Sequence, residues 1–249
     1  MFYFDDFYGK KILKSTLLSE YDCFFTTREF VLTAANRNDL ELESEKNREF
    51  LKSKLHCEKI IFSKQVHSSN VKIVDNTNFT YEDTDALISN IPNSLILMNF
   101  ADCVPIILYS KNENTGAIVH AGWRGTASEI LKKTIIKMRD ELNICSKDIT
   151  ALIGPSIGQC CFETDEDVFK QLIKNYKNEK IYHKRNNKFF INLKELNKIQ
   201  LQEQGVENID ICSYCTCCMS DIFFSYRKEK GVTARHSAIV KIKGDNICQ

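Results

Sequence analysis

The chain contains no uninterrupted apolar run of roughly 18 residues, so no segment reads as a membrane-spanning helix. It opens on MFYFDDFYGKKILKS, which has no basic region leading into an apolar one, and no secretory leader is visible. Charge of one sign is also missing: 34 Lys and Arg stand against 33 Asp and Glu, a formal net charge of +1. Without a basic block the electrostatic footprint of a nucleic-acid binder is absent, and neither nucleic acid nor membrane is expected as a partner. Proline is scarce, at three residues. Linkers rich in Pro, Gly or Ser are lacking, as are repeats, so one domain over residues 1–249 is expected.

A chain of 249 residues, 43% of them hydrophobic and 27% charged, is ordinary for a globular protein with a sizeable core. Eleven cysteines would suit a disulfide framework, but the number is odd and the chain is not short. Reduced thiols in the cytoplasm, some of them binding metal, are the better expectation.

Residues 40–54 are charged, with Leu42, Phe50 and Leu51 at intervals, and predict a surface helix. KIIFSKQVH predicts a strand ending at His67. SLILMNFADC predicts another, ending in Asp102 and Cys103, and PIILYS and GAIVH predict two more, the last ending at His120. The period then becomes helical: Ile130, Leu131, Thr134, Ile135, Met138 and Leu142 share one face. Thr126 to Glu129 has the form of a capping box for that helix. Further on, DITALIGPSIG predicts a strand and a turn, DEDVFKQLIKNY and INLKELNKIQLQEQG predict helices, and DIFFSYR and SAIVKIK predict closing strands. Strands and helices without regular alternation imply an α+β fold, a mixed sheet flanked by helices.

Three predicted strand ends carry His67, Cys103 and His120. Two imidazoles and a thiolate, with a fourth position left open, suit a catalytic zinc site. Their spacing along the chain is non-local, so no local motif fixes them. Cys103 beside a histidine also suits a cysteine nucleophile with its base, and Asp102 is a candidate general acid or a partner of the ligands. In HAGWRGT, Gly122 and Gly125 allow positive φ or a close backbone approach, Trp123 is expected to pack, and Arg124 beside a helix start suits an anion such as phosphate. IGPSIGQCCFE is glycine-rich but no Walker loop. Cys212, Cys215, Cys217 and Cys218 contain a Cys-x-x-Cys that suits a structural zinc, with or without Cys160 and Cys161. His56, His183 and His236 lie in polar segments and are expected to face solvent.

Several stretches together resemble one family, the YfiH-type proteins, also described as laccase-domain or polyphenol-oxidase proteins and associated with purine nucleoside phosphorylase activity. They are TTR at Thr26–Arg28, Asn47–Arg48, KQVHSSNV, DALISN, ADCVPIILY, VHAGWRGT, IGPSIGQCCFE, CTCC and FFSYRKE followed by TAR, in the family's order from about residue 22 to 240. The resemblance implies a fold similar to the catalytic domain of cytotoxic necrotizing factor. It implies zinc held by His67, Cys103 and His120, with copper as the alternative metal. It implies phosphorolysis of adenosine, inosine, guanosine and methylthioadenosine, together with adenosine deamination, with Arg28 and Arg124 contacting substrate or phosphate. A copper-dependent phenol oxidase is the alternative, disfavoured by five histidines and no His-x-His; a peptidoglycan-editing role without nucleoside turnover is another. The chain departs from the family after Arg28, where REFVLTAANRND lacks the usual Gly-Gly-x-Ser loop, and at Ala234-Arg235, where Gly-Arg is usual. Monomer and homodimer both remain open.

Overall fold

Two β-sheets lie face to face at the centre of the molecule, in a computed structural model that describes residues 1–176 and 179–244. The first sheet has seven strands, in the order Phe2–Phe7, Lys10–Ser15, Cys23–Thr26, His236–Lys241, Ser94–Phe100, Lys59–Ser63, Thr80–Tyr81. The second has six, in the order Asn208–Ile211, Ile149–Ile153, Val104–Ser110, Thr115–Ala121, Ala86–Ser89, Val71–Ile73. Each mixes parallel and antiparallel pairs. A small three-stranded sheet is built from Glu163–Thr164, Lys188–Ile191 and Tyr182–Arg185.

The apolar strands lack polar alternation because both faces are covered. In Val104–Ser110, Val104, Ile106 and Leu108 turn to the helices while Ile107 and Tyr109 turn to the first sheet. Phe25, Ile96, Met98 and Phe100 of the first sheet meet Leu87, Ile107, Ile118 and Leu152 of the second in one shared core. Helix α1 (Glu41–Leu55) covers the outside of the first sheet with Leu51 and Leu55. Outside the second lie α2 (Trp123–Ala127), α3 (Ile130–Leu142), α4 (Glu166–Ile173) and α5 (Leu193–Glu203). The result is an α+β fold of mixed sheet flanked by helices, as the sequence predicts, but with the strands divided between two sheets rather than held in one. No helix among the described residues is long and apolar enough to cross a membrane.

Four local expectations are corrected. The strand in KIIFSKQVH stops at Ser63, because the chain leaves the first sheet there and reaches the second at Val71. The Gln65 side chain continues the pairing instead, donating to the Asn99 carbonyl at 2.8 Å and accepting from its amide at 2.9 Å. DIFFSYR forms turns rather than a strand: the Ile222 and Phe223 amides both bond back to the Met219 carbonyl while Phe223 and Phe224 bury their rings. The capping box does not form. Thr126 lies inside α2 and accepts from Asn197, and Glu129, in the left-handed region at φ 58°, takes the Tyr176 hydroxyl at 2.9 Å. His56 and His183 are exposed, but His236 is fully buried.

Candidate metal centre

His67, Cys103 and His120 come together although each arrives on a different segment. Phe100 ends a strand of the first sheet and Val104 begins one of the second, so Ala101-Asp102-Cys103 is a corner between sheets. The loop carrying His67 makes the same crossing. His120 is the penultimate residue of Thr115–Ala121 and pairs with Pro105, which places it beside that corner. The ligand atoms of the three all lie within 4.8 Å of one another, close enough to hold one metal ion. The His67 and His120 rings stand edge to face, with centroids 4.9 Å apart. His120 is buried, Cys103 half-buried and His67 exposed, so the group opens to solvent on the His67 side.

The backbone at two of these positions is unusual. His67 has φ 62° and Asp102 has φ 86°, a region that side-chain-bearing residues seldom occupy and that persists only where neighbours enforce it. At Asp102 the enforcement is visible. Its carboxylate accepts from the Thr216 hydroxyl at 2.6 Å and the Arg227 amide at 2.7 Å, and its carbonyl accepts from the Ile157 amide at 3.0 Å. Gly122 has an ordinary φ of −65°, so close approach is the reason for glycine there. A Cβ at that position would lie 2.9 Å from the Cys103 sulfur and 3.1 Å from His67 Cδ2.

Asp85 organises the site. It is fully buried at the start of DALISN, and its carboxylate accepts from His120 Nδ1 at 2.7 Å, the His67 amide at 3.0 Å and both the amide and hydroxyl of Ser68 at 2.7 Å. Burial opposes its ionisation, but the bonds from His120 and Ser68 outweigh it and bring Asp85 down to about 2. A carboxylate on Nδ1 fixes the His120 tautomer and leaves Nε2 as the ligand atom. Burial likewise opposes a Cys103 thiolate, yet the charge and hydrogen bonds of His120, with help from His67, lower it to about 6. His120 is raised to about 9 against its own desolvation, first by Cys103 and then by Asp85. A thiolate facing two imidazoles, one braced by a carboxylate, is a donor set suited to zinc or copper. The residues fit a metal.

The remaining predicted residues fall around this centre. Trp123 packs part-buried against the helical core, as the sequence predicts. Arg124 is exposed and stacks on Trp123, 4.3 Å from its ring centroid. The Arg28 guanidinium is engaged: it is paired with Glu229, donates to the Phe223 carbonyl and stacks on Phe224. The sequence pattern assigns Asp85 no role, although it opens the DALISN stretch of the family resemblance. Arg235, noted in the sequence only beside Ala234 as a departure from the family and given no role, is a half-buried guanidinium that feels the Cys103 thiolate, burial lowering its basicity and Cys103 raising it.

The fold and site define a two-sheet α+β protein carrying an open His-Cys-His centre of metal-binding type. The chain belongs to the laccase-like YfiH family: the family profile described as multi-copper polyphenol oxidoreductase laccase matches residues 27–243. Among similar proteins is a purine nucleoside phosphorylase of Clostridium acetobutylicum, 33% identical over 240 residues, spanning 93% of this chain and 98% of that one. Another of the same description, from Aquifex aeolicus, is 38% identical over 70% of this chain and 78% of its own length. Among solved structures, YfiH of Bacillus licheniformis superposes with a TM-score of 0.86 at 26% identity, covering 96% of this chain and 99% of that one. YlmD of Geobacillus stearothermophilus gives 0.86 at 25%, covering 96% and 98%.

Proposed function

We propose that the protein is a zinc-dependent purine nucleoside phosphorylase. It converts adenosine, inosine, guanosine and methylthioadenosine with phosphate to the free base and ribose 1-phosphate, and it deaminates adenosine. The observation that carries this reading is the convergence of His67, Cys103 and His120 on one open centre braced by Asp85. Relatives described as purine nucleoside phosphorylases supply the substrate class. His67, Cys103 and His120 would hold the zinc, which would supply a Lewis acid and activation of water at this site.

The chain's own residues do the rest. Phosphorolysis builds positive charge on the ribose and negative charge on the departing purine, so fixed donors for phosphate and base matter most. Arg124 presents an exposed guanidinium four positions beyond His120, and Arg235 lies within electrostatic reach of Cys103. Neither is ion-paired among the described residues, whereas the charge of Arg28 is held by Glu229, so in this reading they are freer than Arg28 to take phosphate. Asp102 has both carboxylate oxygens occupied by Thr216 and Arg227, so in this reading it positions Cys103 and transfers no proton. The exposed Val66 directly precedes His67 in the chain and offers apolar surface to a purine ring.

The test is metal analysis combined with chromatography of adenosine and inosine incubated with and without phosphate. Base and ribose 1-phosphate formed only with phosphate are expected, and His120→Ala abolishes turnover. Stoichiometric zinc with no nucleoside consumed overturns the reading. Phenol oxidation by copper-loaded protein, in place of nucleoside turnover, would establish the copper alternative.

A further inference from the structure

A second group of ligand-bearing side chains lies apart from the His-Cys-His centre and consists entirely of sulfur. Cys160 and Cys161 stand in the loop after Ile149–Ile153, and Cys215 and Cys218 in the turn after Asn208–Ile211. Those two strands are parallel neighbours, so their following segments emerge side by side, and a Ser156–Cys215 bridge prolongs the pairing. All four sulfurs lie within 4.8 Å of one another. Cys218 Sγ is 3.6 Å from Cys160 Sγ and 3.5 Å from Cys161 Sγ. Four thiolates about 2.3 Å from one zinc at tetrahedral angles stand about 3.8 Å apart, whereas bonded sulfurs are about 2.05 Å apart. The observed spacing matches the first arrangement.

The surroundings support ligation. The Gly158 amide donates to Cys215 Sγ at 3.1 Å, and the Cys218 amide also points to that sulfur, closing the Cys-x-x-Cys turn. Gly158 allows this packing, because a Cβ there would lie 3.1 Å from the Cys215 Cβ and 3.2 Å from the Cys160 sulfur. Four thiolates around a divalent ion leave a net charge of −2, and a cation stands near. Lys194 is buried and donates to the carbonyls of Cys212 and Tyr214 at 2.6 and 2.7 Å; burial lowers its basicity, and Cys212, Cys215 and Cys160 work against that. Cys212 and Cys217, which the sequence pattern groups with these thiols, are not among the four, although Cys217 is hydrogen-bonded to Cys161.

We propose that Cys160, Cys161, Cys215 and Cys218 form a tetrathiolate zinc site, distinct from the His-Cys-His centre, that clamps the 154–162 loop to the 213–219 turn. Zinc entry displaces the four thiol protons to solvent and changes no oxidation state. The clamp sits behind the first centre: Ile157 of the loop and Thr216 of the turn both donate to Asp102, the strained neighbour of Cys103. The site stands independently of any nucleoside chemistry.

Elemental analysis of the reduced, full-length protein tests it. The wild type is expected to hold two zinc ions per chain, His120→Ala and Cys218→Ser one each, and Cys217→Ser two. Cobalt in the His120→Ala protein is expected to show the strong near-ultraviolet sulfur-to-metal charge transfer of a thiolate-rich site. Equal zinc in wild type and Cys218→Ser, or no such band, overturns the proposal. Should Cys218→Ser not fold, alkylation of the wild type decides. Zinc should shield the exposed Cys160 and Cys218 relative to the exposed Cys145, and chelation should unmask them. Labelling of Cys160 and Cys218 at the Cys145 rate in zinc-loaded protein refutes the site.

Discussion

Asp85 does for the candidate centre what none of its ligands can do alone. One buried carboxylate ties the His120 ring, the His67 backbone and Ser68 into a single network, so two of the three candidate ligands answer to it. Replacing it by Asn keeps the shape but removes the charge that holds His120 Nδ1–H, and partners of this kind typically carry 10- to 100-fold in metal affinity. In a Cys218→Ser background, where only this centre is read, Asp85→Asn should weaken zinc by about that factor in a chelator competition. Unchanged affinity would remove Asp85 from the account. Gly122 makes a second, steric prediction. Its backbone angles suit alanine, but the added carbon would meet the Cys103 sulfur at 2.9 Å. Gly122→Ala should therefore unfold within about 1 kcal/mol of wild type yet bind zinc and turn over substrate poorly; normal zinc affinity would show that the sulfur has room to move. The three candidate ligands were legible because His and Cys just beyond or at the ends of apolar runs are chemically conspicuous. Asp85 was not, since its role depends on tertiary neighbours that no local pattern names.

At the scale of elements, runs of apolar residues marked the strands well wherever both faces are buried, and the Ile130–Met138 stripe marked α3. Failures came where local chemistry had two outlets. Thr126 and Glu129 suit a cap, but tertiary partners, Asn197 and Tyr176, took both side chains, and the chain broke into two helices at Glu129. An aromatic run such as Phe223-Phe224 buries equally well from turns as from a strand, so hydrophobicity could not decide it. The end of α1 carries its own prediction. His56 closes the helix in the left-handed region at φ 49° with an exposed ring, a position where glycine avoids the clash of the Cβ. His56→Gly should raise stability to urea by about 0.5–1 kcal/mol. A loss would mean that the imidazole makes a contact worth more than the backbone relief.

For the molecule as a whole, sequence patterns reported an α+β chain but not that its strands divide between two sheets. That division depends on where the chain crosses, and both crossings, at residues 64–70 and 101–103, became the loops that carry candidate ligands. The same two-sheet packing buries His236, which polar neighbours in the sequence made look exposed. Its ring lies between Phe100 and Phe223, with centroids 6.4 and 5.6 Å away. Desolvation is the main force holding it neutral. The Pro155 carbonyl works the other way, Arg235 and Arg28 add to the burial effect, and the pKa falls to about 3. Unfolded histidine titrates near about 6.5. Between these values the unfolded chain binds a proton that the folded chain refuses, so this contribution is full above about pH 6.5 and is lost as pH falls toward 3. The slope is about 1.4 kcal/mol per pH unit, or about 2–3 kcal/mol by pH 4.5, before most carboxylates protonate. His236→Phe keeps an aromatic ring in an aromatic slot and removes the titration. Denaturant unfolding at pH 7.5 and 4.5 should show the wild type losing about 2–3 kcal/mol more than the variant between the two. Parallel losses in both would mean that acid sensitivity arises elsewhere and that burial of His236 carries no proton linkage.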